Sequence, residues 1–271
     1  AYWHARKDEK DKAFEHAEHA FQSGSTESFQ CLIALHSKYG DFDKANKLFS
    51  DMTDRYSARS PDWLRWCLCH NKGDAKAAQS KVETYFQKVN ARSTPGYQSM
   101  MFHFYTIINE PQKASLALMT TRNLSRVSPA TLLLGSCVAD QTGNKAERDR
   151  LVQATVDLEK NPVMAKDYAV WIEYAKKLQL FLKRPDKRKL NKELVTDLTE
   201  KSNSDIRQNL ELVSAYFLTT NRLGKEATPL LLHSAVLMRG FPLTVNVISR
   251  QVLRKQGMTV GPGNEGLKEK N

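Results

Sequence analysis

The sequence predicts an all-α protein built from a row of helix-turn-helix units, and three repeating features support that prediction. The first is a ladder of prolines at steps of 34, 34 and 33 residues, namely Pro61, Pro95, Pro129 and Pro162. The second is a ladder of turn residues at steps of 33, 36 and 34 residues, namely Gly40, Gly73, Asn109 and Gly143. Proline is tolerated in the first turn of a helix, whereas glycine or asparagine ends one. Two interleaved ladders of one period therefore predict tandem helical hairpins.

The third feature is a pair of columns in the second helix of each hairpin. Five residues after each turn residue the chain has Ala45, Ala78, Ala114 and Arg148, and Ala13 begins the same column. Four residues further on it has Ala17, Phe49, Val82, Leu118 and Val152. Residues four apart share one helical face. We expect this face to pack against the partner helix, with alanine allowing a close approach.

The individual helices follow from start and stop signals, and no strand pattern competes with them. Three starts pair a capping side chain with a first-turn proline: Ser60-Pro61, Ser128-Pro129 and Asn161-Pro162. The predicted helices are 11–23, 26–38, 42–56, 61–72, 74–90, 95–108, 111–124, 129–141, 144–160, 162–181, 187–201, 204–220, 226–239 and 243–256. The short connections between them are typical of antiparallel helix pairs.

The repeat period divides the chain into three parts. Residues 1–160 follow the period of the two ladders, whereas the helix starts near Asn203 and Pro242 come 41 and 39 residues after the preceding start. We therefore predict longer, divergent helical repeats over 161–256 that continue the same array. Residues 257–271 contain little apolar side chain and several glycines, so we predict a flexible tail.

Composition narrows the class of protein. With 41% hydrophobic and 26% charged residues among 271, the chain is typical of a folded protein. No run reaches the roughly 18 apolar residues that a membrane-spanning helix needs, so no span is predicted. Four cysteines within predicted helices argue against a disulfide framework and favour a reducing compartment. The first ten residues lack the apolar core of a secretion signal, and the chain opens on half a repeat, so we expect a larger chain or complex.

The residues after the first turn glycine carry a family resemblance. The run from Gly40 to Phe49 resembles the tetratricopeptide repeat, with its glycine, aromatic, alanine and second aromatic at the family's spacing. Gly73 to Ala78 repeats the pattern, and 109–118 and 143–152 follow it more loosely. The resemblance implies a right-handed α-α superhelix of about seven hairpins. It also implies a non-catalytic scaffold for protein-protein interaction that holds a peptide or subunit in its concave face.

The same resemblance maps a partner-binding groove onto the first helices of the hairpins. We call these positions the groove column: Gln30, Ala34, Ser37, Trp63, Cys67, His70, Ser99, His103, Leu133 and Cys137. The column is mixed and nearly uncharged. Family members that clamp a carboxylate tail have lysine and asparagine where this chain has Gln30 and Ala34, so binding of such tails is not expected.

Candidate metal and catalytic motifs are incomplete. His16 and His19 share one helical face, but zinc takes roughly three or four protein ligands, so a solvated helix is favoured. Cys67 and Cys69 diverge on a helix and cannot easily share a metal. No glycine-flanked nucleophile or phosphate-binding glycine loop appears. We therefore predict no cofactor, no metal site and no enzymatic activity.

An alternative function rests on charge. The net charge is +11, and residues 181–271 hold 16 basic against 9 acidic side chains. A basic patch stands within that third: Lys183, Arg184, Lys187, Arg188, Lys189 and Lys192. The alternative is an RNA-binding helical-repeat protein that uses this basic third. It lacks the recurring polar side chains with which such arrays read bases, so a protein or peptide partner is favoured over nucleic acid.

Overall fold

A computed structural model describes residues 1, 4–5, 9–56, 60–88, 95–108, 110–184 and 204–221, together with the single positions 223, 227 and 230. Across those ranges the protein is all-α, with twelve α-helices, two short 3-10 turns and no strand. The predicted helices 187–201 and 243–256, most of 226–239 and the tail 257–271 lie outside the described residues.

The described chain forms two compact units, which meet in sequence between residues 91 and 92. The first contains five helices: α1 (Lys10–Phe21), α2 (Thr26–Lys38), α3 (Phe42–Arg55), α4 (Ser60–His70) and α5 (Ala75–Lys88). The second contains seven: α6 (Pro95–Ile107), α7 (Pro111–Met119), α8 (Pro129–Gln141), α9 (Lys145–Asp157), α10 (Pro162–Asp167), α11 (Ala169–Lys183) and α12 (Ser204–Thr220). The repeat phase does not mark this boundary; it places its own change near residue 161.

Inside each unit, consecutive helices pack on one another. In the first unit α1 contacts α2, α2 contacts α3, α3 contacts α4 and α4 contacts α5; in the second, α6 contacts α7, α7 contacts α8, α8 contacts α9 and α9 contacts α11. This order of contacts is what short connections between antiparallel helices produce. Two contacts join helices that are not consecutive along the chain to α8: α12 packs on it, and α11 contacts it to a smaller extent.

The predicted helix starts agree with the structure to within one residue where the structure describes them, and α4 begins at Ser60, one residue before the predicted Pro61. Helices α6, α8 and α10 begin at Pro95, Pro129 and Pro162. The Ser128 hydroxyl accepts a hydrogen bond from the backbone amide of Thr131 at 3.2 Å. Each such cap satisfies an amide that the first turn of a helix leaves without a partner.

Two predicted helices depart from the structure more than the others do. The helix predicted over 111–124 ends at Met119, where the hydroxyls of Thr120 and Thr121 bond back to the carbonyl of Ala117 at 3.0 and 3.2 Å. Such side-chain bonds compete with the helical backbone pattern. The helix predicted over 162–181 is divided at Tyr168, whose backbone angles (φ −113°, ψ 20°) interrupt the helix.

The columns of small and apolar residues form the packing face that the sequence predicts. Ala13, Ala45, Ala78 and Ala114 have no exposed surface, and the following column is at most 5% exposed. Arg148 departs from the column, with 14% of its side chain exposed and both neighbouring aspartates within ion-pair distance. The close approach that alanine allows elsewhere is therefore replaced by a charged contact in the second unit.

The turn glycines are required by backbone conformation. Gly73 and Gly143 have φ angles of 80° and 79°, a region that side chains with a Cβ rarely adopt. Gly73 is doubly constrained, since a Cβ there would lie 2.7 Å from the ring of Phe42. Gly40 also has a positive φ, of 79°, and Asn109, the other member of the ladder, lies outside the described residues.

All four cysteines are buried and remain reduced thiols, not disulfides. Among the helices that the structure describes, none is both long enough and apolar enough to cross a membrane.

Candidate functional site

The groove column of the first unit lies on helices α2 and α4. Gln30, Ala34 and Ser37 are half-buried along α2. The Ser37 hydroxyl lies 3.0 Å from the Sγ atom of Cys69 on α4. This stretch of α2 is therefore small, polar and open to solvent along part of its surface.

On α4 the groove column contains both a buried and an exposed side chain. Cys67 is fully buried and burial raises the pKa of its thiol to about 12. His70 is exposed and its ring lies 4.8 Å from the ring of Trp66. The backbone of Trp63 belongs to α4, and its side chain lies outside the described part of the structure.

In the second unit the column runs along α6 and α8. Ser99 and His103 are half-buried on α6. The His103 Nε2 atom lies 3.1 Å from the Thr131 hydroxyl on α8, and burial lowers the pKa of the imidazole to about 4. Leu133 and Cys137 on α8 have 0% and 1% of their surface exposed. The α8 part of the column is thus closed to solvent.

Helix α12 covers that part of α8. Every residue from 210 to 219 is buried, and a helix that is buried on all sides belongs to a core. The Tyr216 hydroxyl donates a hydrogen bond to Asp140 Oδ2 on α8 at 3.1 Å. The Ser214 and Tyr174 hydroxyls lie 2.7 Å apart and join α12 to α11. The face of α8 that carries Asp140 therefore binds a helix of the same chain.

Burial in this contact changes the pKa of the Tyr174 and Tyr216 phenols. Burial raises the pKa of both phenols above the usual range, and the neighbouring Cys137 contributes to the rise. Both phenols therefore stay neutral in the range where proteins are stable, so Tyr216 remains a donor to Asp140.

Asp140 also holds Arg148 on α9. The Arg148 Nη1 atom donates to Asp140 Oδ1 at 2.9 Å, and the Nε atom donates to Asp149 at 2.8 Å. Burial by itself would lower the pKa of Arg148, but the two carboxylates raise it above its ordinary value. The guanidinium is therefore a permanent charge, and the chain Tyr216–Asp140–Arg148 ties three helices together.

A pocket of about 410 Å³ opens beside this network. Its walls come from α8, α9, α11 and α12 and from the residue that follows α12. The lining combines charged, apolar and neutral polar side chains: Asp140, Lys145 and Arg148, then Leu182 and Phe217, then Thr220 and Asn221. Pockets that bind small ligands have volumes of about 300–1,000 Å³ and mostly apolar walls. This pocket has such a volume, but five of its seven lining residues are charged or polar.

The basic patch is only partly described. Lys183 ends α11 and Arg184 follows it, and both are exposed. Lys187, Arg188, Lys189 and Lys192 lie outside the described residues. Among the side chains that the structure does describe, no group of three potential metal ligands comes together, and His16 stacks on His4 with ring centres 4.8 Å apart.

Sequence reasoning missed the Tyr216–Asp140–Arg148 network, although two signals for it were present. Asp140 stands three residues before a turn glycine, as Ser37 and His70 do before theirs, so it belongs to the same face as the groove column. Arg148 is the one charged residue in a column of alanines. An acid and a base that both depart from the repeat in the same hairpin are candidates for an ion pair.

Comparison with protein-family models, with curated proteins and with solved structures finds no match to this chain. The tetratricopeptide resemblance therefore rests on the repeat period and on the motif residues themselves.

Proposed function

We propose that the chain is a tetratricopeptide-like α-α superhelix that acts as a non-catalytic scaffold, and that its first unit binds a helical segment of a partner protein on the groove column. The repeat period, the turn glycines with positive φ and the buried alanine columns support the superhelix. Arrays of this kind offer long surfaces built from equivalent positions of successive repeats.

The observation that carries the proposal is the position of α12 on α8. Helix α12 packs against the face of α8 that includes the groove column. Because equivalent positions of a repeat present the same face, α2 offers to a partner the surface that α8 offers to α12. Binding of an amphipathic helix in a groove is a common mode of peptide recognition.

The residues of the first unit define the chemistry of that partner. Along α2 the column is formed by an amide, a methyl group and a hydroxyl, from Gln30, Ala34 and Ser37. These short side chains allow a partner helix to approach closely. We expect the contact face of that partner helix to consist of small and polar residues. Residues 1–60 hold 9 basic and 10 acidic side chains, so charge steering contributes little and binding should depend weakly on salt.

The test compares two arginine substitutions on neighbouring helices. Ala34→Arg fills the column, whereas Ser50→Arg adds the same side chain to an exposed position of α3. Both variants and the wild type are used for affinity capture from native lysate, followed by mass spectrometry. We expect a set of proteins that the wild type and Ser50→Arg retain and that Ala34→Arg loses. Titration of the purified partner segment should then show a loss of at least tenfold for Ala34→Arg alone.

Two outcomes would overturn the proposal. One is equal capture by a folded Ala34→Arg protein, with folding checked by circular dichroism and an unchanged unfolding midpoint. The other is a captured segment that shows no helical signal when bound, because the geometry of α12 on α8 argues for a helix.

The RNA-binding alternative is supported by the exposed Lys183 and Arg184 at the end of α11 and by the net charge of +11. It predicts retention on immobilised RNA at low salt, with affinity that falls steeply as salt rises. Ala34→Arg would leave this retention unchanged. Failure of the chain to bind immobilised RNA at low salt would contradict this alternative.

A further inference from the structure

The connection between α7 and α8, residues 120–128, carries an inference that is independent of partner binding. It is the longest of the connections that the structure describes in full, and it contains the 3-10 turn Leu124–Arg126. This turn contacts α6 and α9. Leu124 is half-buried and Val127 is buried. The connection is therefore held against the second unit by its apolar side chains.

Three polar residues of the same connection are exposed, namely Arg122, Ser125 and Arg126. The sequence has no acidic residue between Glu110 and Asp140. Within the described part of the chain, neither arginine has an ion-pair partner. The connection therefore presents a serine to solvent between two positive charges that no carboxylate balances.

The spacing of Arg122 and Ser125 is a recognition pattern of protein kinases. Arginine-directed kinases select a serine or threonine that stands three residues after an arginine, through the positive charge of that arginine. No other arginine in the sequence is followed by serine or threonine at this spacing. The pattern therefore occurs once in the chain, and the structure places it in an exposed connection instead of a helix.

The hydrogen bonds around Ser125 are few and local. Its backbone amide and its hydroxyl donate to Asn123 Oδ1 at 3.2 and 2.6 Å. The Arg126 amide donates to the Asn123 carbonyl at 3.5 Å. A kinase binds its substrate as an extended chain, so these contacts have to open. Opening one exposed turn requires much less free energy than unwinding a packed helix, so Ser125 is accessible in the folded protein.

We propose that Ser125 is a phosphorylation site for an arginine-directed serine kinase, and that the phosphate group pairs with Arg122 and Arg126. In the reaction the Ser125 hydroxyl oxygen bonds to the γ-phosphorus of ATP, the bond to the β-phosphate oxygen breaks, and ADP leaves. The hydroxyl proton passes to the catalytic aspartate of the kinase. The phosphate carries a charge of about −1.5 to −2 and three acceptor oxygens, and both guanidinium groups have donors for them. Modification therefore neutralises most of the positive charge of the connection.

The test incubates the whole chain with a purified calmodulin-dependent protein kinase, its calcium-loaded activator and ATP with Mg²⁺, and locates the phosphate by mass spectrometry of peptides. We expect phosphate on Ser125. Arg122→Gln should slow its incorporation by about tenfold or more, because the kinase loses the charge-assisted hydrogen bonds with which it selects the site. Arg126→Gln is the matched control, since it makes the same change in the same connection outside the recognition pattern. Its rate should stay within about threefold of the wild type.

Ser50 provides an internal control for the local structure. It is exposed and follows Lys47 by three residues, but it lies inside α3. We expect no phosphate on Ser50, because a kinase would have to unwind that helix to bind it.

A second measurement tests the pairing of the phosphate with the arginines. Phosphorus NMR of the modified chain follows the second ionisation of the phosphate, which has a pKa of about 6 without such partners. Two neighbouring guanidinium groups should lower this pKa, and Arg126→Gln should bring it part of the way back.

The proposal is wrong if Ser125 of the whole chain gains no phosphate, or if Arg122→Gln and Arg126→Gln slow the reaction equally. Modification of Ser50 as fast as that of Ser125 would show that the connection gives the kinase no special access. A phosphate whose ionisation is the same in the wild type and in Arg126→Gln would contradict its pairing with Arg126.

Discussion

The two compact units use the same repeat in different ways. In the first unit the α2 part of the groove column is half-buried and carries Gln30 and Ala34. In the second unit the α8 part is buried and carries Leu133 and Cys137, and α12 packs on the same helix. The repeat phase specifies which face of the helix lies in the column, and the residues on that face decide whether the chain covers it with its own helix.

The two units differ in how much apolar area a covering helix can bury. Burying one large aliphatic or aromatic side chain stabilises a fold by about 1.5–3 kcal/mol. Helix α12 buries Leu210, Val213, Phe217 and Leu218 without exposed surface, so its packing within the second unit is strongly favourable. A column of amide, methyl and hydroxyl groups offers little apolar area. A helix of the same chain that packed on it would therefore gain much less free energy.

The largest expected effect comes from truncating the column in each unit. Leu133→Ala should lower the free energy of unfolding by about 2–5 kcal/mol, because it leaves a cavity at a fully buried position of α8. Gln30→Ala, at the equivalent position of the first unit, should cost less than about 1 kcal/mol because the side chain is half-buried. Urea denaturation followed by circular dichroism measures both. Equal losses in the two variants would contradict the contrast between the units.

The next effect is a loss of stability in acid that originates in the second unit. The pKa of His103 falls from 6.5 to about 4 on folding because burial disfavours the imidazolium. As the pH falls below 6.5 the unfolded chain therefore binds this proton first, and stability drops until the pH reaches about 4. The total contribution is about 3 kcal/mol. We expect His103→Gln to remove this part of the pH dependence of urea unfolding.

Cys67 provides the matched control, because it holds the same column position in the first unit. Burial raises the pKa of its thiol to about 12, so it affects stability only as the pH rises above 9.0, its value without burial. Cys67→Ala should shift stability by a constant amount between pH 4 and 6.5 and leave the acid loss in place. An acid loss that survives in His103→Gln would show that another group causes it.

The smallest effect separates two turn glycines with nearly the same φ. Gly143→Ala should cost about 1–2 kcal/mol, since the backbone is left-handed and the space around it is open. Gly73→Ala should cost up to about 1 kcal/mol more, because its methyl group meets the ring of Phe42. The extra cost should disappear in a Phe42→Ala background, which a double-mutant cycle of unfolding free energies measures. An extra cost that persists there would assign it to the backbone.

Local signals account for the parts of the fold that could be predicted. A proline in the first turn, a serine that caps an amide and a glycine with positive φ each act within a few residues, so helix starts and turns were readable from the sequence. The end of α7 at Met119 was not, because the hydroxyls of Thr120 and Thr121 compete with the helix for the same carbonyls.

The candidate site was predictable only in its separate parts. Arg148 and Asp140 each break a column, and that much is visible in the sequence. Their partner Tyr216 lies 76 residues from Asp140, and nothing local to either residue indicates that contact. The same holds for the pocket, whose walls come from four helices.

The sequence by itself determined that this chain is helical, where most of its described helices begin and which face of each helix is apolar, because these properties depend on neighbours within one or two turns. Only the tertiary structure decided that α12 covers α8 while the equivalent face of α2 stays partly open. Which helix covers which depends on how much apolar surface two distant segments bury together. A periodic sequence pattern indicates the apolar face of each helix, but it does not indicate which other helix packs on that face.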